Sequence, residues 1–155
     1  MRSVKLVVVG AAVAAAMFGT AVASAAQQDA ATGGGQVLVG SKGAGDTVAF
    51  TAKGTPDAGE GQVQYVDRTD GTGKDQVVHH GTVNCLAVMG NVARISGTWR
   101  DGGVFAIYVE DNGEGAAADD DVVTVLPGES TCDFDEPEDE DKTALARGNA
   151  QVRDR

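Results

Sequence analysis

Short apolar runs that alternate with polar residues follow one another along most of the chain, and Gly, Asp and Asn separate them. After the first twenty-six residues, no stretch keeps the 3.6-residue period of an amphipathic helix. Runs rich in valine, threonine and aromatic residues between turn residues are typical of strands. The pattern predicts eight strands, at residues 36–40, 46–53, 61–67, 76–88, 91–99, 103–111, 121–126 and 149–154.

Alternation within these runs assigns one face of each strand to the core and the other to solvent. In the strand 91–99, one face carries Ala93, Ile95 and Trp99, whereas Arg94 lies on the other. One buried face, one solvated face and short connections are typical of an antiparallel meander. Eight such strands close most economically as a small all-β barrel, because closure removes exposed edges. A two-sheet sandwich is the alternative. The aromatic side chains predicted to face inward are Phe50, Tyr65, Trp99 and Phe105.

The first twenty-six residues have the three parts of a secretory signal peptide. Arg2 and Lys5 give a basic start, an apolar run rich in alanine and glycine follows, and small residues end it. The alternative is a membrane anchor, because the apolar run approaches spanning length. We expect cleavage after Ala25 or Ala26, which leaves residues 27–155 as one secreted β domain and, we expect, a monomer without a membrane span.

The chain is strongly acidic, with 12 basic and 23 acidic residues and a net charge of −11. Loss of Arg2 and Lys5 with the signal peptide leaves 10 basic residues and a net charge of −13. Such a chain is repelled by nucleic-acid phosphates and by anionic membrane surfaces. Nucleic acid is therefore excluded as a partner.

Cys85 and Cys132 are the only cysteines, and an isolated pair in an exported chain predicts one disulfide. A metal or redox pair is the alternative, but it favours C-x-x-C spacing, which these cysteines do not have. A disulfide that closes so long a loop stabilises the fold by about 4 kcal/mol if chain entropy is the cause.

Acidic residues are concentrated late in the chain: residues 110–141 hold 14 of the 23 acids, and 132–141 alone hold seven. Such a run repels itself and cannot bury apolar surface. We therefore expect a solvated, mobile acidic loop at about residues 127–146, between the last two strands. Cys132 would hold its start against the strand of Cys85. Its carboxylates are the natural contact for a cationic extracellular partner.

Four runs together resemble a group of small secreted actinobacterial proteins: "GEGQVQYVDR" (59–68), "GTVNCLAVMGNVARISGTW" (81–99), "FAIYVEDNGEG" (105–115) and "RGNAQVRD" (147–154). Related modules, described as post-COAP-1-like, end larger surface or secreted proteins. The resemblance implies an all-β extracellular module, and it brings no catalytic residues. This chain departs from the group at Gly115, where proline-glycine is common, and in its acidic loop, which replaces a more neutral, proline-rich one.

The acid-rich stretch 111–121 could be a turn or a calcium loop. Asn112-Gly113 is a strong turn dipeptide. A calcium loop needs carboxylates at alternate positions, and glycine occupies two of those positions here. The interpretation is a hairpin turn. If the stretch binds calcium instead, the candidate ligands are Asp111, Asp119 and Asp121. No other cofactor is indicated.

The remaining candidate chemistry does not indicate an enzyme. His79 and His80 are neighbours in a strand, so they point to opposite faces and cannot bind one ligand together. Ser41, Ser96 and Ser130 lack a G-x-S-x-G elbow. We therefore expect no catalytic and no cofactor-binding residues.

These observations leave two candidate functions. The first is a non-catalytic secreted β module with a structural or interaction role, with the acidic loop as its contact surface. The alternative is a small-ligand-binding barrel, because eight strands leave room for a side-chain core or for one small molecule.

Overall fold

The computed structural model describes residues 28–37, 45–68, 75–115, 118–134, 137–138 and 141–155. Within these residues the protein consists of antiparallel strands and contains no helix, which confirms the predicted all-β class. The strands are β1 (Asp29–Val37), β2 (Asp46–Thr55), β3 (Ala58–Asp67), β4 (Val77–Met89), β5 (Val92–Trp99), β6 (Val104–Glu110), β7 (Val122–Pro127) and β8 (Leu145–Arg153).

The eight strands form one sheet, in the order β7-β6-β5-β4-β3-β2-β1-β8. Strands β1 to β7 are a meander, and β8 returns to pair with β1 along nearly its whole length. Between β7 and β8 there is only an isolated bridge, from Val122 to Ala144. The sheet is therefore a nearly closed barrel with one seam, and the alternative of a two-sheet sandwich is wrong.

The first and last strands differ most from the sequence prediction. The first was predicted at 36–40, but β1 starts at Asp29 and runs through three consecutive glycines. A Cβ at Gly33 would lie 2.6 Å from the carbonyl oxygen of Asn149 in β8. Alanine and glycine carry no apolar alternation, and their small size is what lets β1 approach its neighbour closely. Likewise β8 starts at Leu145, four residues before the predicted strand.

The middle of the barrel is filled by side chains from the inward face. The core includes Val48, Phe50, Ile95, Phe105 and Ile107, each at most 3% exposed. These are inward residues that alternation predicted. Full burial of one such side chain contributes about 1.5–3 kcal/mol, so this packed interior is the main stabilising feature of the fold.

The disulfide Cys85–Cys132 is present, with 6.2 Å between the two Cα atoms, and it confirms the predicted pair. A bulge between Val83 and Cys85 shifts the register of β4 against β5. Cys85 consequently pairs with Ser96 on the outer face, where the segment after β7 can reach it. The bond closes a loop of 47 positions and attaches that segment to the outside of the barrel.

The described residues of the segment after β7 make an outer layer over part of the barrel. Arg94 and Tyr108 point outward from β5 and β6, yet each is only 2% exposed. The Arg94 guanidinium forms an ion pair with Glu129, and Lys142 lies over the Tyr108 ring at 5.6 Å. The prediction of a solvated outer face is therefore wrong for β5 and β6. The described residues of the predicted acidic loop contact the barrel through these side chains and through Cys132.

Candidate functional site

One end of the barrel opens into a cavity of about 480 Å³, here called the cup. Strands β3, β5 and β7 end at this side and β4 and β6 begin there, so residues near these strand ends line the cup. Apolar contacts come from Val104, Val125 and Pro127. The remaining side chains that line the cup are aromatic or titratable: Tyr65, Asp67, His79, Trp99 and Asp101.

The floor of the cup is a pair of packed aromatic rings. The Trp99 and Phe105 ring centroids lie 4.3 Å apart, and Phe105 is fully buried beneath. Two glycines make room for them: a Cβ at Gly81 would lie 2.5 Å from Phe105 Cε1, and one at Gly97 would lie 2.7 Å from Phe105 Cζ. The absence of side chains at Gly81 and Gly97 therefore leaves the space that the two rings occupy.

The wall of the cup continues this aromatic surface. Tyr65 in β3 pairs directly with His79 in β4, and their rings are stacked with centroids 6.4 Å apart. The His79 ring in turn lies 5.6 Å from Trp99. His80 is exposed on the outer side, as strand alternation predicted for adjacent histidines. Three rings thus line one connected surface above Phe105.

Asp101 holds the imidazole of His79 in place. It lies in the turn between β5 and β6, and its Oδ2 is 2.7 Å from His79 Nδ1. Gly102 and Gly103 follow it with φ angles of 104° and 88°, a conformation that favours glycine and lets the turn fold tightly. The pair is partly exposed at the rim, since the side chains are 29% and 52% exposed.

Two further aspartates lie beside Tyr65, and they differ in their hydrogen bonding. Asp46 is 2% exposed; its Oδ2 accepts a 2.5 Å hydrogen bond from the Tyr65 hydroxyl and its Oδ1 accepts one from the Arg68 amide. Asp67 Oδ1 is buried, and no described residue donates a hydrogen bond to it. Burial, the hydrogen bond to Asp46 and the negative charge of both carboxylates raise the pKa of Tyr65 well above its usual value.

Sequence reasoning placed Tyr65 and Trp99 correctly on the inward face, but it did not identify the carboxylates of the cup. A signal was present for Asp67, because Val63, Tyr65 and Asp67 occupy successive inward positions of one strand. An acidic residue at the inward end of an alternating run is a candidate for a site. No comparable signal exists for Asp101, since its contact with His79 depends on the fold of the turn.

The calcium candidates lie at the opposite end of the barrel, and two of the three accept hydrogen bonds at the seam. Asp121 accepts hydrogen bonds from the Asn112 amide at 2.9 Å and from the Ala150 amide at 2.6 Å. Asp111 accepts one from the Val152 amide at 2.9 Å. These two carboxylates thereby serve as acceptors for β8 amides, in place of main-chain carbonyls that β7 does not offer. Asp119, the third candidate, is exposed. Among the described residues, no three His, Cys, Asp or Glu side chains form a group that could hold a metal ion.

The other sequence candidates do not meet at one place. Ser96 is buried on the outer face of β5, Ser130 is exposed in the segment after β7, and Ser41 lies outside the described residues. The predicted signal peptide also lies outside them. The described part of the chain contains no helix that is long and apolar enough to cross a membrane.

Comparisons with known proteins yield no relative for this chain. No protein-family model matches it, and neither a curated protein nor a solved structure does so.

Proposed function

We propose that the protein is a non-catalytic extracellular binding module that holds a small ligand in the cup. The observation that supports this most is the contrast between a packed barrel interior and one end that is open, aromatic and about 480 Å³ in volume. Small-molecule sites are concave and mostly apolar, with a few well-placed polar groups. The cup is concave, and it combines three rings and the apolar residues Val104, Val125 and Pro127 with two carboxylates.

The secreted location is part of the same proposal. The disulfide is compatible with an oxidising compartment, and the basic, apolar and small-residue order of the first twenty-six residues favours export. The resemblance to small secreted actinobacterial proteins agrees with an extracellular module.

Trp99 provides the test, because it is the only tryptophan of the chain and it lies in the cup. We expect its emission to change in a saturable way when small aromatic probes are added to the mature protein. Three probes of similar size and different charge are suitable: phenethylamine, 2-phenylethanol and phenylacetate. If none of them changes the Trp99 emission or binds by calorimetry, the cup is not a ligand site and the proposal fails.

The outer layer offers a second contact surface, for a cationic macromolecule. Asp133, Glu138 and Asp141 are exposed in the segment that Cys132 attaches to the barrel. We expect polylysine to bind there and to dissociate as salt rises, since exposed charges are screened. Binding that survives molar salt, or that a triple Asp133→Asn, Glu138→Gln and Asp141→Asn variant retains in full, would contradict this contact.

A further inference from the structure

We infer that the ligand of the cup is a small organic cation, an ammonium group on an apolar or aromatic body. This inference rests on the proposed function, because it names the ligand class for the same site. It follows from three separate features of the cup: its charge, one carboxylate oxygen without a partner, and its ring surface.

The charge of the cup is negative. Asp67 and Asp101 line it, and Asp46 accepts a hydrogen bond from the Tyr65 hydroxyl. The one residue of the lining that can become cationic is His79, and it already faces Asp101 at 2.7 Å. The whole chain carries a net charge of −11. A cleft with acidic lining in an acidic protein attracts cations and repels anions.

Asp67 supplies the specific contact. Its Oδ1 is buried without a hydrogen bond from any described residue. A buried carboxylate oxygen without a donor is unfavourable, so such a group normally has a partner. An ammonium group brings three donors and the opposite charge. Because the carboxylate of an aspartate rotates readily about χ2, either oxygen can face a ligand in the cup.

The rings supply the apolar contact. The His79 ring contacts both the Tyr65 ring and the Trp99 ring, with centroid distances of 6.4 Å and 5.6 Å. Faces of tyrosine and tryptophan attract cations through the ring quadrupole, and they pack well against an apolar body. A neutral ligand would use the rings and could donate a single hydrogen bond, but it would leave the charge of Asp67 without a counter-charge. An anion would meet two carboxylates.

The test compares probes of similar size whose polar groups differ in charge, on the full mature chain. We expect phenethylamine to bind at least tenfold more tightly than 2-phenylethanol, and phenylacetate to bind more weakly than both. The substitution Asp67→Asn keeps the shape of the side chain and removes its negative charge. It should weaken phenethylamine binding at least tenfold and leave 2-phenylethanol binding unchanged. The matched control is Asp119→Asn, which makes the same charge change in an exposed residue at the opposite end of the barrel and should change neither.

Salt dependence on the wild type keeps the inference testable if Asp67→Asn does not fold. Between about 20 mM and about 500 mM sodium chloride, binding of the amine should weaken and binding of the alcohol should not. Equal affinity for amine and alcohol, tighter binding of phenylacetate than of phenethylamine, or full amine binding by folded Asp67→Asn would each overturn the cation class. In those three cases the cup would still be a binding site. If no probe binds at all, the proposed function itself fails.

Discussion

The two ends of the barrel use their aspartates differently. At the seam end, Asp121 is 7% exposed and accepts hydrogen bonds from the Asn112 and Ala150 amides with its two oxygens. At the cup end, Asp67 has a buried oxygen to which no described residue donates a hydrogen bond. A carboxylate whose oxygens are taken up by backbone amides holds the fold together. We propose that one with an oxygen left over beside an aromatic cavity serves to bind a ligand.

Loss of the seam carboxylate should have the largest effect. Replacement Asp121→Ala leaves two backbone amides without their acceptor, and hydrogen bonds to a charged group contribute about 1.5–3 kcal/mol each. We expect the free energy of unfolding to fall by about 3–5 kcal/mol, measured by urea denaturation. Asp119→Ala in the same loop is the control and should change it by less than about 0.5 kcal/mol. Similar values for both variants would mean that the seam does not depend on Asp121.

Filling the floor of the cup should have the next largest effect. In Gly81→Ala the new Cβ would lie 2.5 Å from Phe105 Cε1 and 3.0 Å from Trp99 Cε3. We expect a loss of about 1–3 kcal/mol, as for other overpacked cores, together with a shift of Trp99 emission. Thr82→Ala, at the exposed neighbouring position, is the control. An unshifted emission spectrum in Gly81→Ala would contradict the arrangement of the rings.

Alkaline pH should affect the cup end through Tyr65. The folded state holds the phenol proton more tightly than the unfolded state, because the pKa of Tyr65 is raised by burial and by Asp46. Its contribution to stability is therefore complete below pH 10 and is lost as the pH rises further. The slope is at most about 1.4 kcal/mol per pH unit.

The measurement for Tyr65 is urea denaturation of the wild type and Tyr65→Phe at several pH values above 10. We expect the variant to lose stability less steeply with pH than the wild type does. It should also be less stable near neutral pH, because Asp46 loses a donor. Parallel pH profiles would show that the Tyr65 hydroxyl is not held as described.

The smallest effect on stability should come from Asp67→Asn, and its direction should be opposite to that of Asp121→Ala. Removing the charge of a carboxylate with a buried, unpaired oxygen relieves a desolvation cost. We expect the melting temperature to stay the same or to rise, with a gain of up to about 1 kcal/mol in the free energy of unfolding. A loss of about 2 kcal/mol or more in the free energy of unfolding, measured by calorimetry, is the size expected for a satisfied hydrogen bond to a charged group. Such a loss would assign Asp67 to the fold rather than to a ligand.

The fold was predictable from the sequence where the pattern is local. Alternation in β5 and β6 identified Ile95, Phe105 and Ile107 as core residues, because the period of a strand does not depend on its partners. Hairpin connections then favoured the meander. The start of β1 was not predictable in this way, since Ala30 to Gly35 have no apolar period and belong to a strand only because β2 and β8 accept them on both sides.

The candidate site was predictable only in part. The inward rings followed from alternation, whereas the roles of the aspartates depend on barrel closure. The sequence favours a turn at 111–121 and leaves Asp111 and Asp121 only as weak calcium candidates. Only the approach of β8 reveals the amides from which they accept hydrogen bonds. Burial of Arg94 was equally unpredictable, because it requires the segment that the disulfide attaches to the outer face. Contacts between residues so far apart in the chain leave no local pattern.

The most direct test of the central claim is a map of chemical-shift changes in the backbone amides of labelled residues 27–155 as phenethylamine and 2-phenylethanol are added. If the cup is the binding site, the changes will cluster at Tyr65, His79, Trp99 and Asp101, and the seam at Asp111 and Asp121 will stay unchanged. Changes centred on the seam or on the segment after β7, or no changes with either probe, would contradict it.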